Sequence, residues 1–598
     1  MKHHDPGTPT PQAPSPAPSS SPPARCPPPF LSCLPVSFLR AASTVGAAAA
    51  ASKVLGLMRE MVLAAAFGVG PVMTAFSYAS LIPTFCLSLL GAAEKDTGKD
   101  SEKDTGKDSE KGRGRSSLNA ARMQQELLVL VSVLVALASI VAAVLIFLCA
   151  RPIIDLLAPG LSFPPAAVAS DPSAVASFAL TRHVAISQLQ QMAPTIALAP
   201  LIGIGFGTLS ARGEFAIPSL SPSLSSLSVL LGIAVYFALC RWSPVASPQR
   251  EIIGGTCLAV SFTAGALLQW LIQVLLHAFS EQLREVFGVL IPATVASGML
   301  QIATFTDLYF ASFLPGTAAA LGYANLLVMA PLGILSTALL VPLLPAFARL
   351  AHPKDRPLLK DSLRRGLVMA LAVTLPMTAV MLPLARPIVR IVFQRRSFDA
   401  SATSLVSSLL SCYLLGSPCY LARDVLVRLF YSLADGTTPF LISTFAIAAN
   451  AVLDFLFVSR WKFGPQGLVL ATAAVNSASA VALLCLAHRR MGGLPLSLWW
   501  PSFSILFQSA AATAITVTVM HKLLSAALTT ASHLLSLQPT WVWLLDAAAL
   551  GTTAAAGFLV FCALVVTMRL PEAMPLWARV KSLLQKHGLL KLRTSAQF

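Results

Sequence analysis

The sequence predicts an all-α polytopic membrane protein with about fourteen transmembrane helices, and three observations lead there. Of its 598 residues 56% are hydrophobic and only 11% charged, with a mean hydropathy of +0.74; soluble chains carry about 25% charged residues. The apolar runs are about 20 residues long, enough to cross a bilayer as a helix, and lack the alternation of a membrane barrel. The ten cysteines are scattered, with no CxxC pair and no Cys/His cluster. Neither a disulfide framework nor a zinc site is therefore expected. A membrane enzyme is disfavoured as well, because the spans hold no acidic metal-binding pair, nucleophile motif or histidine cluster.

In chain order, residues 1–40 are rich in Pro and Ser, and Asp5 is their one acidic residue against Lys2, Arg25 and Arg40. So many prolines preclude a helix or a core, so this leader is expected to be disordered. Its acid-poor, Ser-rich composition suits an organelle transit peptide better than a secretory signal; a plain disordered tail is the other reading.

The first span, near 41–66, is the centre of the functional expectation. Its apolar run carries Lys53, Arg59 and Glu60, and an ionisable group at mid-bilayer costs about 2.5–3.5 kcal/mol unless it finds a polar cavity or a partner. At 100° per residue Lys53 and Glu60 fall near one face while Arg59 points away. Leu55 and Leu63 occupy the i±4 places of Arg59, so its charge is expected to be free for a ligand, with Glu60 holding Lys53. For Lys53 alone, snorkelling to the surface is the alternative.

The second span, near 72–92, is followed by a tandem repeat of EKDTGKDS from Glu94 to Lys111. Such a polar, charge-balanced segment cannot bury a core, so 93–125 reads as a solvated loop. Spans near 126–149, 185–209, 217–240 and 252–276 complete a six-helix lobe over 41–277. Spans near 287–312, 320–345, 367–385, 401–432, 439–459 and 466–487 form a second lobe over 286–490. Two more, near 503–521 and 544–568, make an additional pair over 500–570, and 571–598 is a basic tail. Lys and Arg concentrate in the termini and even-numbered loops, which puts both termini on the cytoplasm-like side. One odd-numbered loop breaks this rule with Arg386, Arg390, Arg395 and Arg396, through either a function or anionic headgroups.

An internal repeat supports the division. Ser77-Tyr78-Ala79-Ser80 in the second span parallels Gly322-Tyr323-Ala324-Asn325 in the eighth, and Ser210 to Pro218 parallels Ser432 to Pro439. Copies six helices apart share an orientation, so two parallel lobes with a cavity between them follow.

Lys53-x-x-Gly56-x-x-Arg59-Glu60, Phe67-Gly68-Val69-Gly70, Ala75-Phe76 and Pro83 resemble the first two helices of the MurJ/MviN family of lipid II flippases. So do Gly203 to Pro222, Ala319 to Pro345 and Ala422 to Pro439. The resemblance runs from about 41 to 495 and is strongest to the cyanobacterial branch. It implies fourteen helices of the MOP exporter superfamily type, and as cargo a polyprenyl-diphosphate-linked glycopeptide flipped for peptidoglycan synthesis. The chain departs from the family where its arginine becomes Lys53, its aspartate becomes Thr74, and two further arginines fall at Leu87 or Ser88 and at Leu326.

On that resemblance Lys53 and Arg59 are assigned to the diphosphate, Lys as a point charge and Arg as a planar fork. Asn325 is a candidate for sugar or peptide, or for an interhelical hydrogen bond. Asp307 is a candidate coupling residue for an ion or proton, or a structural acceptor. Asp424 and Arg428, four apart with the acid first, are expected to neutralise each other. Gly56, Gly68 and Gly70 are expected to permit close packing or bending. No cofactor beyond a possible coupling ion or membrane potential, no metal and no nucleic acid is expected; a monomer in a plastid inner membrane is. A multidrug- or polysaccharide-type exporter and a transport-deficient scaffold remain as alternative functions.

Overall fold

The computed structural model describes residues 36–91, 136–165, 170–211, 216–242, 247–277, 302–534, 538–572 and 574. The leader up to 35, the charged repeat and the basic tail from 575 lie outside the described residues. Among the described residues there are helices and turns and no strand.

The first half runs α1 (Val36–Phe67), α2 (Pro71–Ala79) and α3 (Leu81–Gly91). It continues with α4 (Ala136–Leu148), α5 (Ala150–Leu157) and α6 (Pro159–Ser162). Three long helices follow: α7 (Pro172–Ala211), α8 (Ala216–Trp242) and α9 (Ser247–His277). The second half opens with α10 (302–311) and α11 (Thr317–Arg349). Next come α12 (Arg356–Met381), α13 (Ala385–Phe393) and α14 (Ala400–Ser432). The chain closes with α15 (Thr437–Phe455), α16 (Pro465–Arg490), α17 (Leu496–Leu534) and α18 (Pro539–Thr567).

Nine described helices are long and apolar enough to cross a membrane, or ten if α4 and α5, bent by 75°, count as one broken span. The expected spans near 41–66, 72–92 and 185–209 match α1, which carries the three charges, α2 with α3, broken at Ser80, and α7, whereas of the span expected near 287–312 only α10 is described and 287–301 lie outside the described residues. Breaks fall where the backbone requires them. Gly68 takes φ +58 after α1, and Pro71 then starts α2, where its missing N–H costs nothing. Asp399 caps α14 by accepting the Ala402 N–H at 2.7 Å. Asp435 accepts the Thr438 N–H at 3.0 Å ahead of α15, and Arg490 at the end of α16 reaches the same carboxylate. Prolines inside α7 (Pro194, Pro200) and α11 (Pro331, Pro342, Pro345) do not end their helices, as neighbouring helices allow in a membrane.

Helices α1, α2, α7, α8 and α9 pack as one lobe, and α11, α12, α14, α15 and α16 as a second. Tyr78 and Tyr323, paired by the internal repeat, are both 1% exposed, so the two copies bury the same side chain. Helices α17 and α18 pack on each other and on α12. The approach is close at Gly557, whose Cβ would stand 2.4 Å from a Val517 methyl and 3.0 Å from a Val380 methyl. Arg364 of α12 clasps Glu572 beyond α18.

Candidate functional site

Helices α1 and α11 run antiparallel where the lobes meet, and they carry four of the expected ligand-binding residues. The Lys53 ammonium lies 3.1 Å from where a Cβ on Gly333 would stand, so the charge of one lobe presses on bare backbone of the other. Six and seven residues on, about 9–10 Å at 1.5 Å per residue, are Arg59 and Glu60. Eight residues back along α11 from Gly333 is Asn325, exposed beside Gly322, and it makes no hydrogen bond among the described residues. The interhelical bond is thus not made among the described residues, and the Asn325 amide is exposed.

The expected pairing of Glu60 is corrected. Arg59 Nη2 donates to Glu60 Oε1 at 2.6 Å and Nε donates to the same oxygen at 3.1 Å; among the described residues Lys53 has no ion pair. The Cβ atoms of consecutive helical residues diverge by 100°, but a guanidinium on a three-methylene stem can fold back over that angle. In a half-buried setting, 28% and 18% exposed, the gain from pairing exceeds the cost of the bent stem. At rest the α1 wall thus presents one open cation, Lys53, and one neutralised couple. A diphosphate, which brings more charge than one carboxylate and matches the guanidinium fork, can exchange for Glu60 on Arg59.

Two positions where the resemblance leads one to expect charges hold neutral groups with local roles. Thr74, 7% exposed, donates its hydroxyl to the Val69 carbonyl at 3.2 Å, and Leu326 packs against the apolar core. Of the three glycines, Gly68 meets a close approach: a Cβ there would lie 2.3 Å from the Ser397 carbonyl oxygen. One at Gly70 would lie 3.0 Å from Phe67 O, and one at Gly56 would meet nothing within 4 Å, so close packing does not explain Gly56.

On the side opposite the termini the lobes touch directly. Tyr323 donates its hydroxyl to Gly68 O at 3.1 Å, and Ser397 donates its hydroxyl to Ala66 O at 3.0 Å. Gly160 donates its N–H to the Ser312 hydroxyl at 3.0 Å. A Cβ at Gly160 would come within 2.3 Å of Ser312 O. These bonds hold the two lobes on each other at this end, the outer one in the topology expected from the charge bias.

A second polar centre lies inside the second lobe. Asn450 Nδ2 donates both to Asp307 Oδ1 at 2.8 Å and to Asp454 Oδ2 at 3.0 Å, and Thr472 Oγ1 donates to Asp307 Oδ2 at 3.4 Å. Asp454 is fully buried, and its Oδ1 has no hydrogen-bond partner. Two acids sharing one amide nitrogen, with an orphaned oxygen, make a set of hard oxygen donors that suits a proton or a small monovalent cation. Sequence reasoning found Asp307 but missed its partners. The signal was present in Asn450-x-x-x-Asp454, which sets an amide and an acid on one face of an apolar span.

The expected Asp424–Arg428 ion pair does not form. Asp424 lies in the electrostatic neighbourhood of Tyr420, one turn earlier. The adjacent Arg423 donates to Ser443 Oγ at 3.0 Å and Asn476 Oδ1 at 3.4 Å. Among the described residues no three His, Cys, Asp or Glu come together as a metal site.

A family model described as lipid II flippase MurJ matches residues 115–538. A relative from Synechocystis sp., described as a probable lipid II flippase MurJ, is 41% identical over 482 residues, covering 77% of this chain and 84% of the relative. One of the same description from Rhizobium tropici is 27% identical, covering 76% and 82%. Among solved structures, a lipid II flippase MurJ in an inward closed conformation superposes with a TM-score of 0.63 at 19% identity, over 90% of this chain and 99% of that one. An inward-facing multidrug resistance MATE transporter of the MOP superfamily gives 0.52 at 13% identity, over 74% and 94%. At these identities the two structures speak to the fold.

Proposed function

The chain belongs to the MurJ family, and on that premise we propose that it is a lipid II flippase working by alternating access. Its cargo is a polyprenyl-diphosphate-linked glycopeptide, whose headgroup crosses between the lobes while its tail stays in lipid. Lys53 and Arg59 take the diphosphate, Glu60 holds Arg59 when the cavity is empty, and Asn325 faces the sugar or peptide. The observation that carries this reading is the juxtaposition of Lys53 with Gly333 across the lobes: the cation stands where a headgroup must pass.

The cycle needs a driving force, and the centre at Asp307, Asn450, Asp454 and Thr472 supports one. A proton or monovalent cation taken up there would neutralise buried charge and alter the packing of α10 against α15 and α16. The bodies that move are 41–277 and 286–490, with 500–570 as an accessory pair. The acid-poor leader and the cyanobacterial relative support placement in a plastid membrane, with the protein acting as a monomer.

The test is purified protein in liposomes with a fluorescent diphosphate-linked lipid, its exposure read by quenching from outside. Expected is flipping that stops with Arg59→Ala and responds to an imposed proton or sodium gradient, the response being lost in Asp454→Asn. Equal flipping by protein-free liposomes and wild type would refute the transporter reading. A reporter behind residues 1–60 that enters the secretory path would refute the plastid.

A further inference from the structure

The four arginines that break the charge rule sit on α13 and on the segment 394–399 after it, and three of them grip two other parts of the molecule, α18 and the first lobe. Arg390 donates from Nη2 to Asp546 Oδ2 of α18 at 2.9 Å. The Arg395 guanidinium lies 5.2 Å from the ring centre of Trp543, also on α18. Arg396 turns the other way, 5.3 Å from the ring centre of Phe237 on α8 in the first lobe. Ser397 follows, donating its N–H to Ala65 O at 3.4 Å and its hydroxyl to Ala66 O at 3.0 Å. Three consecutive residues therefore touch the C-terminal pair and the first lobe, although they belong to the second.

The segment is held taut. Arg396 has φ +48, a left-handed backbone uncommon for a residue with a Cβ, and the turn sends the two neighbouring guanidinium groups in opposite directions. Before the turn, Phe393 is buried; after it, the buried Phe398 packs on Tyr323 and Phe393 with ring centres 5.7 Å apart in each case. Asp399 then caps α14. With both ends anchored, movement at Arg395 is transmitted to Arg396 and Ser397 and is not absorbed between them.

We propose that residues 394–399 are a strap through which the C-terminal helix pair α17–α18 sets the stability of the outer closure between the lobes. Arginines serving only anionic headgroups would not couple α18 to α8. By linkage the coupling runs both ways: loosening α18 weakens the closure, and opening the closure loosens α18. The proposal goes beyond the transport reading and does not depend on the cargo.

The test reads the gate directly. Spin labels at Gln249 and Ser404, exposed residues at the outer ends of α9 and α14, report the distance between lobes by double electron–electron resonance. The full chain, freed of native cysteines, is measured in lipid nanodiscs. Phe237→Ala is expected to raise the open-to-closed ratio about two- to fivefold, as loss of one cation–π contact implies. Trp543→Ala should shift it the same way although Trp543 touches neither face of the gate. Trp543→Phe, which keeps an aromatic face, should stay closed, and the Phe237→Ala/Trp543→Ala double variant should open no further than Phe237→Ala alone. Arg395→Gln cuts the same link from the strap side should Trp543→Ala fold poorly. An unmoved distance in both Trp543→Ala and Arg395→Gln, a fully additive double variant, or Trp543→Phe as open as Trp543→Ala would each overturn the proposal.

Discussion

At the scale of single residues, Arg59 shows how a helical wheel can find a charge and still misplace its partner. The wheel places Glu60 100° away, yet side-chain reach brings the carboxylate to 2.6 Å. If Glu60 competes with the diphosphate for Arg59, Glu60→Gln should bind a diphosphate lipid at least as tightly as wild type. Arg59→Ala should bind about tenfold or more weakly, the range of one charge-assisted hydrogen bond. Microscale thermophoresis with the detergent-solubilised lipid measures both. A second residue gives a pH signature. The Ala402 N–H and then the Ser401 hydroxyl, both donating to ionised Asp399, hold its carboxyl below the usual range. Because the folded value is lowered, the stabilisation is complete above the unfolded value of about 3.9 and fades as pH falls through the folded one. Asp399→Ala should therefore destabilise by about 1 kcal/mol at neutral pH, and its melting temperature should converge on that of wild type near pH 2. A constant difference across that range would show that the cap is not what Asp399 contributes.

At the scale of elements, most of the sequence reading rested on run length, and run length is reliable in a membrane because unsatisfied backbone must coil into helices. Helices α8, α9, α11, α12 and α14 to α18 fall on expected spans for that reason. What run length cannot reveal is where one helix stops short to meet another. The turn between α1 and α2 is such a place, since Gly68 is needed both for its φ of +58 and for the 2.3 Å left to Ser397 O. Gly68→Ala should fold yet transport more than tenfold slower, because strain and clash fall on the closed state. Gly551→Ala, where an added methyl meets nothing within 4 Å, should transport as wild type does. Equal rates for the two would remove the α1–α2 turn from the gate. The polar centre around Asp307 was half visible for a related reason: an acid in an apolar run announces itself, but its partners come from helices α15 and α16, more than a hundred residues later.

At the scale of the whole molecule, the two lobes meet at one end through Tyr323, Ser397 and Ser312 and again where Lys53 approaches Gly333. The internal repeat points to two lobes of equal orientation, and in keeping with it both copies bury their tyrosine, Tyr78 and Tyr323. The closure itself was not readable, since it is made of backbone carbonyls and hydroxyls that carry no charge or periodicity. The measurement that bears most directly on the whole reading is flipping of a fluorescent diphosphate-linked lipid by wild type and Arg59→Ala, reconstituted at equal folded density. Expected is time-dependent protection of the wild-type lipid from an external quencher, with Arg59→Ala reduced to the rate of empty liposomes. Undiminished flipping by well-folded Arg59→Ala would contradict the assignment of α1 as the diphosphate-carrying helix.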